Sequence, residues 1–277
     1  MENTSIKRCI YCNKSVQDGV KINESHIIPD SLTNYKKMVY KNVCSIEHNG
    51  NFGDTFEYDI IEKCRKIRHY LNIKNKKGKI LKYPIELDIN GYKFRGKVSN
   101  FDDLLDRRNL SVCKGNSKFL FKIIKKDDTK SEKFLEVFEN LEITEKSEAR
   151  KREMEDLLKM LYSRNMLRLV AKIGYEWFCK VNNINGVEDC FTDIINFIIN
   201  EESNFEIVSI VESKDFLIRL NDELGYGGHA LGIYNTSIDK NAYVFFSFFG
   251  LALYKIKIRK YPIYIAKMSI GLGFEDR

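Results

Sequence analysis

The stretch "CIYCNKSVQDGVKINESHIIPDSL", residues 9–32, places a Cys-x2-Cys pair a short distance before His26 and the turn residue Pro29. Two cysteines at this spacing are typical of one half of a tetrahedral metal site in an intracellular chain. The second half of such a site must come from elsewhere in the sequence. The role of His26 depends on which other residues form a site with it.

The stretch "KNVCSIEHNGNFGDTFE", residues 41–57, supplies the second half as a Cys-x3-His pair. Two short-spaced ligand pairs separated by a loop are typical of a closed zinc site, and thiolate and imidazole ligands favour Zn²⁺. A unit this small buries little apolar surface, so a metal crosslink would contribute much of its stability. The predicted ligands of a structural Zn²⁺ are Cys9, Cys12, Cys44 and His48.

Taken in order, Cys-x2-Cys, His-Ile-Ile-Pro and Cys followed by Asn-x3-Gly resemble the HNH endonucleases in their zinc-stapled ββα-metal form. The resemblance covers residues 9–71. It implies that His26 is the general base, that Asn42 holds the loop orienting His26, and that Asn49 is a ligand of the catalytic metal. A hard divalent ion such as Mg²⁺ or Mn²⁺, bound by oxygen ligands, is the cofactor that the resemblance implies.

The requirements of phosphodiester hydrolysis support the same assignment. The reaction needs a group that takes a proton from water near neutral pH, and histidine has a suitable pKa. It also needs positive charge on the scissile phosphate, which one divalent cation can supply as a Lewis acid. The carbonyl oxygen of an asparagine side chain is a ligand that Mg²⁺ accepts.

The chain departs from the family pattern at Ser25, where related enzymes often carry an acidic residue or a histidine beside the catalytic metal. Glu24 precedes it, and on an extended strand Glu24 and His26 lie on the same face. We therefore expect Glu24 to help hold the catalytic metal, directly or through water.

A second departure concerns the fourth zinc ligand. The family's usual Cys-x2-Cys spacing would place it at Glu47, whereas His48 keeps Asn49 and Gly53 in the family's spacing. The alternative gives zinc three cysteines and Glu47 and makes His48 a ligand of the catalytic metal. Asn51 is a further candidate ligand of that metal.

The positive charge of the chain is concentrated in one segment. Residues 65–126 hold eighteen Lys or Arg against five Asp or Glu, whereas residues 1–64 hold eight against nine. Such an excess is typical of a polyanion-binding surface, with a solvated basic face as the alternative. DNA is the expected partner and RNA the second. The side chains predicted to contact nucleic acid are Arg65, Lys66, Arg68, Lys74, Lys76 and Lys77.

We expect an α+β protein in three segments: an HNH module at 1–75, a basic β-containing segment at 76–145, and an α+β C-terminal domain at 146–277. The last would serve dimerisation, a regulatory partner or another contact. The expected elements are a helix from Phe52, a β-hairpin at 79–98, a strand at 117–126, a charged helix or linker at 127–156, helices at 157–183 and 190–200, and strands at 205–212, 229–234, 241–249 and 251–259.

Composition narrows the class of protein. Seven cysteines without a disulfide-type pattern favour a reducing compartment, and the sequence has neither a signal-peptide pattern nor an apolar run long enough for a membrane span. We therefore expect a cytoplasmic DNA endonuclease, of the kind found in mobile elements or anti-phage defence. The alternatives are a catalytically decayed zinc-containing nucleic-acid-binding protein and an RNA nuclease. His229 is expected to be structural, and His69 to lie at the surface or contact phosphate.

Overall fold

The computed structural model describes residues 6–33, 38–71, 73–74, 83–89, 92–98, 155–200, 207–213, 215, 217–219, 222, 228–235, 241–259 and 271–272. The architecture mixes helix and sheet, as predicted. Contacts divide the chain into two compact units: Met1–Ile60 with Leu161–Arg277, and Ile61–Met160. The segment bounds at 75 and 145 stay predictions. Within the described ranges, no helix has the length and apolar character needed to cross a membrane.

The N-terminal part of the first unit is a strand–strand–helix arrangement. Strand β1, Ile22–His26, pairs antiparallel with β2, Val39–Cys44. A helical run follows β2 directly, with π-helical turns at Ser45–Gly50 and Gly53–Glu57 before helix α1, Tyr58–Lys63. The predicted helix therefore begins earlier than Phe52, immediately after the second strand.

The second unit contains helix α2, Arg65–Tyr70, and a β-hairpin of β3, Tyr83–Ile89, with β4, Tyr92–Val98. Ile89 pairs with Tyr92, so two residues connect the strands, the loop length of the commonest hairpins. The predicted hairpin is confirmed. The strand predicted at 117–126 and most of the charged segment predicted at 127–156 lie outside the described residues.

The C-terminal part of the first unit consists of two helices and an antiparallel sheet with strand order β5-β8-β7-β6-β9. Four of these strands fall where the sequence predicts them, as does the second helix. The elements are α3, Arg164–Val181; α4, Thr192–Ile199; β5, Val208–Ile210; β6, Ala230–Asn235; β7, Ala242–Phe248; β8, Ala252–Arg259; and β9, Gly271–Leu272.

The prediction of one continuous helix at 157–183 is wrong in one respect, because the observed helix is interrupted. Residues 155–161 are helical, and α3 begins anew after Ser163. The Ser163 hydroxyl accepts a hydrogen bond from the Met166 backbone N–H at 3.3 Å, which is the usual way in which serine caps a new helix.

Helix α3 is the centre of the first unit. The helix is buried on all sides over residues 168–179. On one side it meets the sheet at Gly174, where an added Cβ would lie 2.8 Å from the Ile256 Cδ1. On the other side the Tyr175 hydroxyl donates to the Ile10 carbonyl at 2.8 Å. The helix therefore lies between the sheet and the N-terminal segment.

Candidate functional site

Four side chains converge where the N-terminal turn meets β2 and the helical run. One Sγ atom from each of Cys9, Cys12 and Cys44 and one ring nitrogen of His48 lie within 4.8 Å of one another. Three sulfurs and one imidazole at such separations fit a tetrahedral site. The predicted Cys₃His set is therefore confirmed as a group that could hold a metal ion such as zinc.

The turn that carries the first two ligands is built around one sulfur. The Cys9 Sγ accepts hydrogen bonds from the backbone N–H groups of Tyr11, at 3.4 Å, and Cys44, at 3.3 Å. Asn13 completes the turn with φ of 61°, a left-handed conformation that asparagine tolerates better than most residues. Backbone N–H groups directed at sulfur stabilise a thiolate, the form in which cysteine binds metal.

The environment of His48 fits a metal ligand. Its ring is 8% exposed and packs against Tyr11 and Phe52, with centroids 5.3 and 5.9 Å away. Among the described residues, neither ring nitrogen of His48 has a hydrogen-bond partner. Leaving a buried imidazole unsatisfied is costly, and a metal ion would satisfy one nitrogen. Burial lowers the pKa of His48, which favours the neutral form that coordinates metal.

Glu47 does not join the cluster. Its exposed carboxylate lies 3.1 Å from the Lys14 Nζ. The π-helical turn at Ser45–Gly50 explains the unusual spacing, since such a turn contains more residues than an α-helical one. It accommodates the extra residue of the Cys-x3-His pair and brings His48, not Glu47, to the cysteines.

His26 lies at the end of β1 with its side chain 36% exposed, so solvent reaches its ring. Ser25 is fully buried, which places Glu24 and His26 on the more open face of the strand as predicted. The His26 Nδ1 lies 3.6 Å from the Asp30 Oδ1. Asp30 is not among the site residues predicted from the sequence. The available signal was an acidic residue four positions after the histidine, just past Pro29.

Asn49, from the helical run, contacts the backbone of Glu24 on β1. A bulge in β2 places both Lys41 and Asn42 opposite Glu24, and the Lys41 Nζ lies 3.4 Å from the Glu24 carboxylate. The Asn49 amide donates to the Glu24 carbonyl at 3.2 Å. Carboxylate and amide oxygens are the ligands that hard divalent cations prefer, and the role of Glu24 and Asn49 as ligands of such an ion stays a prediction.

Asn42 is engaged elsewhere among its described contacts. Its amide donates to the Asn185 Oδ1 at 3.3 Å, in the loop after α3, and the same oxygen accepts from the Arg8 N–H at 2.8 Å. The loop needs glycine at Gly186, where φ is 101° and an added Cβ would lie 2.5 Å from the Asn13 Oδ1. The role of Asn42 toward His26 stays a prediction.

A buried ammonium lies beneath the end of β1. The Lys172 side chain, on α3, is 1% exposed, and its Nζ lies 2.9 Å from the Glu57 Oε1 and 3.2 Å from the Glu176 Oε2. The same Nζ donates to the backbone carbonyls of His26 and Ile27. Burial works against the charged amine, but the two carboxylates more than offset it and raise the pKa of Lys172.

Glu176 extends this network to the other parts of the N-terminal segment. Its carboxylate accepts from the Ser25 hydroxyl at 2.9 Å and from the Tyr11 hydroxyl at 3.1 Å. Burial raises the pKa of Glu176 to about 7, although Lys172 opposes the shift. The side chain at the position where HNH enzymes often carry a metal ligand therefore points to α3, away from the open face of β1.

The predicted nucleic-acid contacts are unlike one another. Arg68 is 5% exposed, and burial lowers its pKa. Arg65 is half-buried and forms an ion pair with Glu62, whereas Lys74 is exposed. The Lys66 side chain and the whole of Lys76 and Lys77 lie outside the described residues, as does the His69 side chain.

His229 belongs to the core of the C-terminal part. Its Nε2 lies 3.0 Å from the Leu32 carbonyl oxygen, and its ring packs against Phe246, Phe248 and Phe249. Burial lowers the pKa of His229 to about 4, which keeps the ring neutral. These contacts agree with the structural role expected from the sequence.

In the comparisons with known proteins, no family model, curated protein or solved structure matches this chain. The functional proposal therefore rests on the arrangement of the site itself.

Proposed function

We propose that this protein is a metal-dependent endonuclease of the HNH type that hydrolyses phosphodiester bonds in DNA. One observation carries the proposal: Glu24 and His26 lie on the open face of β1, and Asn49, from the helical run that completes the Cys₃His cluster, donates to the Glu24 backbone carbonyl. A histidine beside hard oxygen ligands, on a metal-stapled module, is suited to activate water against a phosphate.

His26 is the general base in this proposal. It accepts a proton from a water molecule, and the resulting hydroxide attacks the phosphorus. One ester P–O bond breaks, and the leaving oxygen gains a proton from solvent. Asp30 faces the Nδ1 of His26, which favours the tautomer with hydrogen on Nδ1 and leaves Nε2 to accept the proton.

Glu24 and Asn49 would hold the catalytic Mg²⁺ or Mn²⁺. When bound, such an ion supplies positive charge to the phosphate as negative charge develops on it. The Cys₃His cluster would hold Zn²⁺ in a structural role, because four protein ligands leave no open coordination position for substrate.

The proposed substrate is DNA, with RNA as the alternative. The excess of basic residues at 65–126 supports a polyanion, since each neutralised phosphate releases counterions. Because positive charge attracts DNA and RNA alike, cleavage assays on both nucleic acids identify the substrate. A cytoplasmic location, a role in anti-phage defence, and a regulatory or dimerisation role for residues 146–277 belong to the same proposal.

A second candidate function is supported by Ser25. Its hydroxyl faces Glu176 in the interior, so the strand offers no acidic side chain at the position where HNH enzymes often have one. If Glu24 does not replace that ligand, the protein would be a zinc-containing nucleic-acid-binding module without catalysis. It would then bind DNA in a salt-sensitive manner and cleave nothing at any metal concentration.

Incubation of the purified full chain with supercoiled plasmid, single-stranded DNA and RNA tests the two candidates. Each substrate is given Mg²⁺, Mn²⁺ or EDTA, with zinc content measured on the same preparation. Metal-dependent nicking of the plasmid is the expected result. Salt-sensitive binding without cleavage of any substrate would favour the second candidate, and cleavage of RNA alone would change the substrate class.

A further inference from the structure

We propose that Lys172 is a positioning residue of the nuclease, which fixes the backbone that carries His26. This inference rests on the proposed function. It assigns a role in the reaction to a side chain of α3, which the sequence places in the C-terminal segment rather than in the HNH module.

The first support is where the ammonium is directed. The Lys172 Nζ donates to the carbonyl of His26 and lies 3.4 Å from that of Ile27. These carbonyls come at the point where β1 ends and the chain turns toward Pro29, and the Ile27 N–H donates in turn to the Met38 carbonyl at 2.8 Å. A fixed donor at this point restrains the backbone from which the imidazole projects.

The second support is the cost of placing the charge there. An isolated ammonium buried to this degree would be strongly unfavourable, so it requires partners. Glu57, from the helical run, and Glu176, from α3 itself, provide them at 2.9 and 3.2 Å. Replacing a buried ion pair by apolar side chains is often neutral for stability, so stability alone does not account for this network.

The third support is the set of elements that the network joins. Tyr11 comes from the metal-binding turn, Ser25 from β1, and Glu57 from the helical run, and each contacts Lys172 or Glu176. The two α3 side chains thus bind all three parts of the proposed catalytic module. A positioning residue acts in this way, by holding reacting groups in register without touching them.

The chain offers a matched control on the same helix. Arg168 lies one turn before Lys172, is also buried, and contacts the same helical run through the Phe56 ring at 4.7 Å. Its described hydrogen bonds go to the carbonyls of Ile198, at 2.8 and 3.1 Å, and Ile199, at 3.4 Å, at the end of α4. Lys172→Met and Arg168→Met both remove a buried cation, and the first also removes the hydrogen bond to the His26 carbonyl.

The test compares wild type, Lys172→Met and Arg168→Met as full chains, below the melting temperature of each and after zinc content is verified. Lys172→Met should lower kcat for plasmid nicking by about tenfold or more with little change in KM. It should also speed hydrogen–deuterium exchange in peptides that span residues 24–32. Arg168→Met should leave kcat and this exchange close to wild type. If Lys172→Met fails to fold, the double variant Lys172→Met/Glu176→Gln replaces it. The second substitution removes the buried negative charge that the loss of Lys172 would leave unpaired.

The outcomes separate the two proposals. Wild-type kcat in the folded Lys172 variant overturns the positioning role, whether or not exchange at 24–32 changes. Equal losses of kcat in the Lys172 and Arg168 variants overturn it too, because they indicate a general packing effect. If the wild-type protein cleaves no substrate, the proposed function is overturned. Hydrogen–deuterium exchange at residues 24–32 then shows separately whether Lys172 orders the end of β1.

Discussion

The Nδ1 of His26 lies 3.6 Å from a carboxylate oxygen of Asp30, across the turn that follows β1. The distance is within ion-pair range and longer than a strong hydrogen bond; such contacts often tighten when substrate binds. Asp30 is only 14% exposed, so its orientation is restrained by the fold. The relationship indicates that Asp30 orients the proposed general base.

Asp30→Asn should therefore reduce the rate of DNA cleavage by about tenfold or more, since an amide no longer favours one tautomer of the imidazole. The control is Asp193→Asn, at an exposed position of α4. Initial rates of plasmid nicking at matched zinc content provide the measurement. Equal rates for the two variants would remove Asp30 from the mechanism.

The metal cluster makes a prediction about adjacent residues. His48→Ala should reduce bound zinc and lower the melting temperature, because it removes a buried ligand. Glu47→Ala should have a much smaller effect on both, since the Glu47 carboxylate is exposed, pairs with Lys14 and is not part of the cluster. Elemental analysis and thermal denaturation of the two variants measure these effects. Loss of zinc from the Glu47 variant alone would favour the alternative ligand set.

Glu176 predicts a pH dependence of stability. Its pKa in the folded state is about 7, raised above the ordinary carboxyl value chiefly by burial. A raised pKa means that the folded state binds the proton more tightly than the unfolded state. Its contribution to stability is therefore full below the ordinary carboxyl pKa and is lost as pH rises through about 7.

The difference in unfolding free energy between wild type and Glu176→Gln isolates this effect. Over that pH range the difference should fall by on the order of 3 kcal/mol, the equivalent of the shift in pKa. The Lys172, Glu57, Tyr11 and Ser25 side chains that face Glu176 are all retained in the variant. Urea denaturation at several pH values gives the comparison, and a difference that does not change with pH would contradict the prediction.

The basic residues should divide into two classes. Replacement of Lys74, Lys76 and Lys77 by alanine should weaken DNA binding and reduce the slope of log K against log salt by about 2 to 3. Arg68→Ala should leave that slope unchanged and lower thermal stability, because Arg68 is buried. Titrations at several salt concentrations, with a melting curve for each variant, distinguish the classes. An unchanged slope in the triple variant would exclude these lysines as phosphate contacts.

The metal ligands could be predicted from the sequence because they lie in two short pairs. Cys9 with Cys12 and Cys44 with His48 each span a single turn, so local spacing alone indicates their chemistry. The choice of His48 over Glu47 required more, since it depends on a π-helical turn that local patterns do not reveal. The strands and the hairpin were predictable for the same reason: alternation and turn residues act locally.

The network beneath His26 could not be predicted in this way. Arg168, Lys172 and Glu176 recur every four residues, a spacing usually typical of the solvated face of a helix. Here that face is buried, and Lys172 contacts a backbone carbonyl 146 residues away in sequence. The available signal was a polar stripe on a helix whose remaining positions are almost all apolar. Only the tertiary packing shows what the stripe binds.

The most direct test of the central claim is plasmid nicking by wild type and by His26→Ala, with Asp193→Asn as control and with Mg²⁺, Mn²⁺ and EDTA. We expect metal-dependent loss of supercoiled DNA with wild type and control, and a decrease of about a hundredfold or more with His26→Ala. The zinc content of the three proteins should be the same. Cleavage by His26→Ala at the wild-type rate, or no metal-dependent cleavage by wild type, would contradict the account.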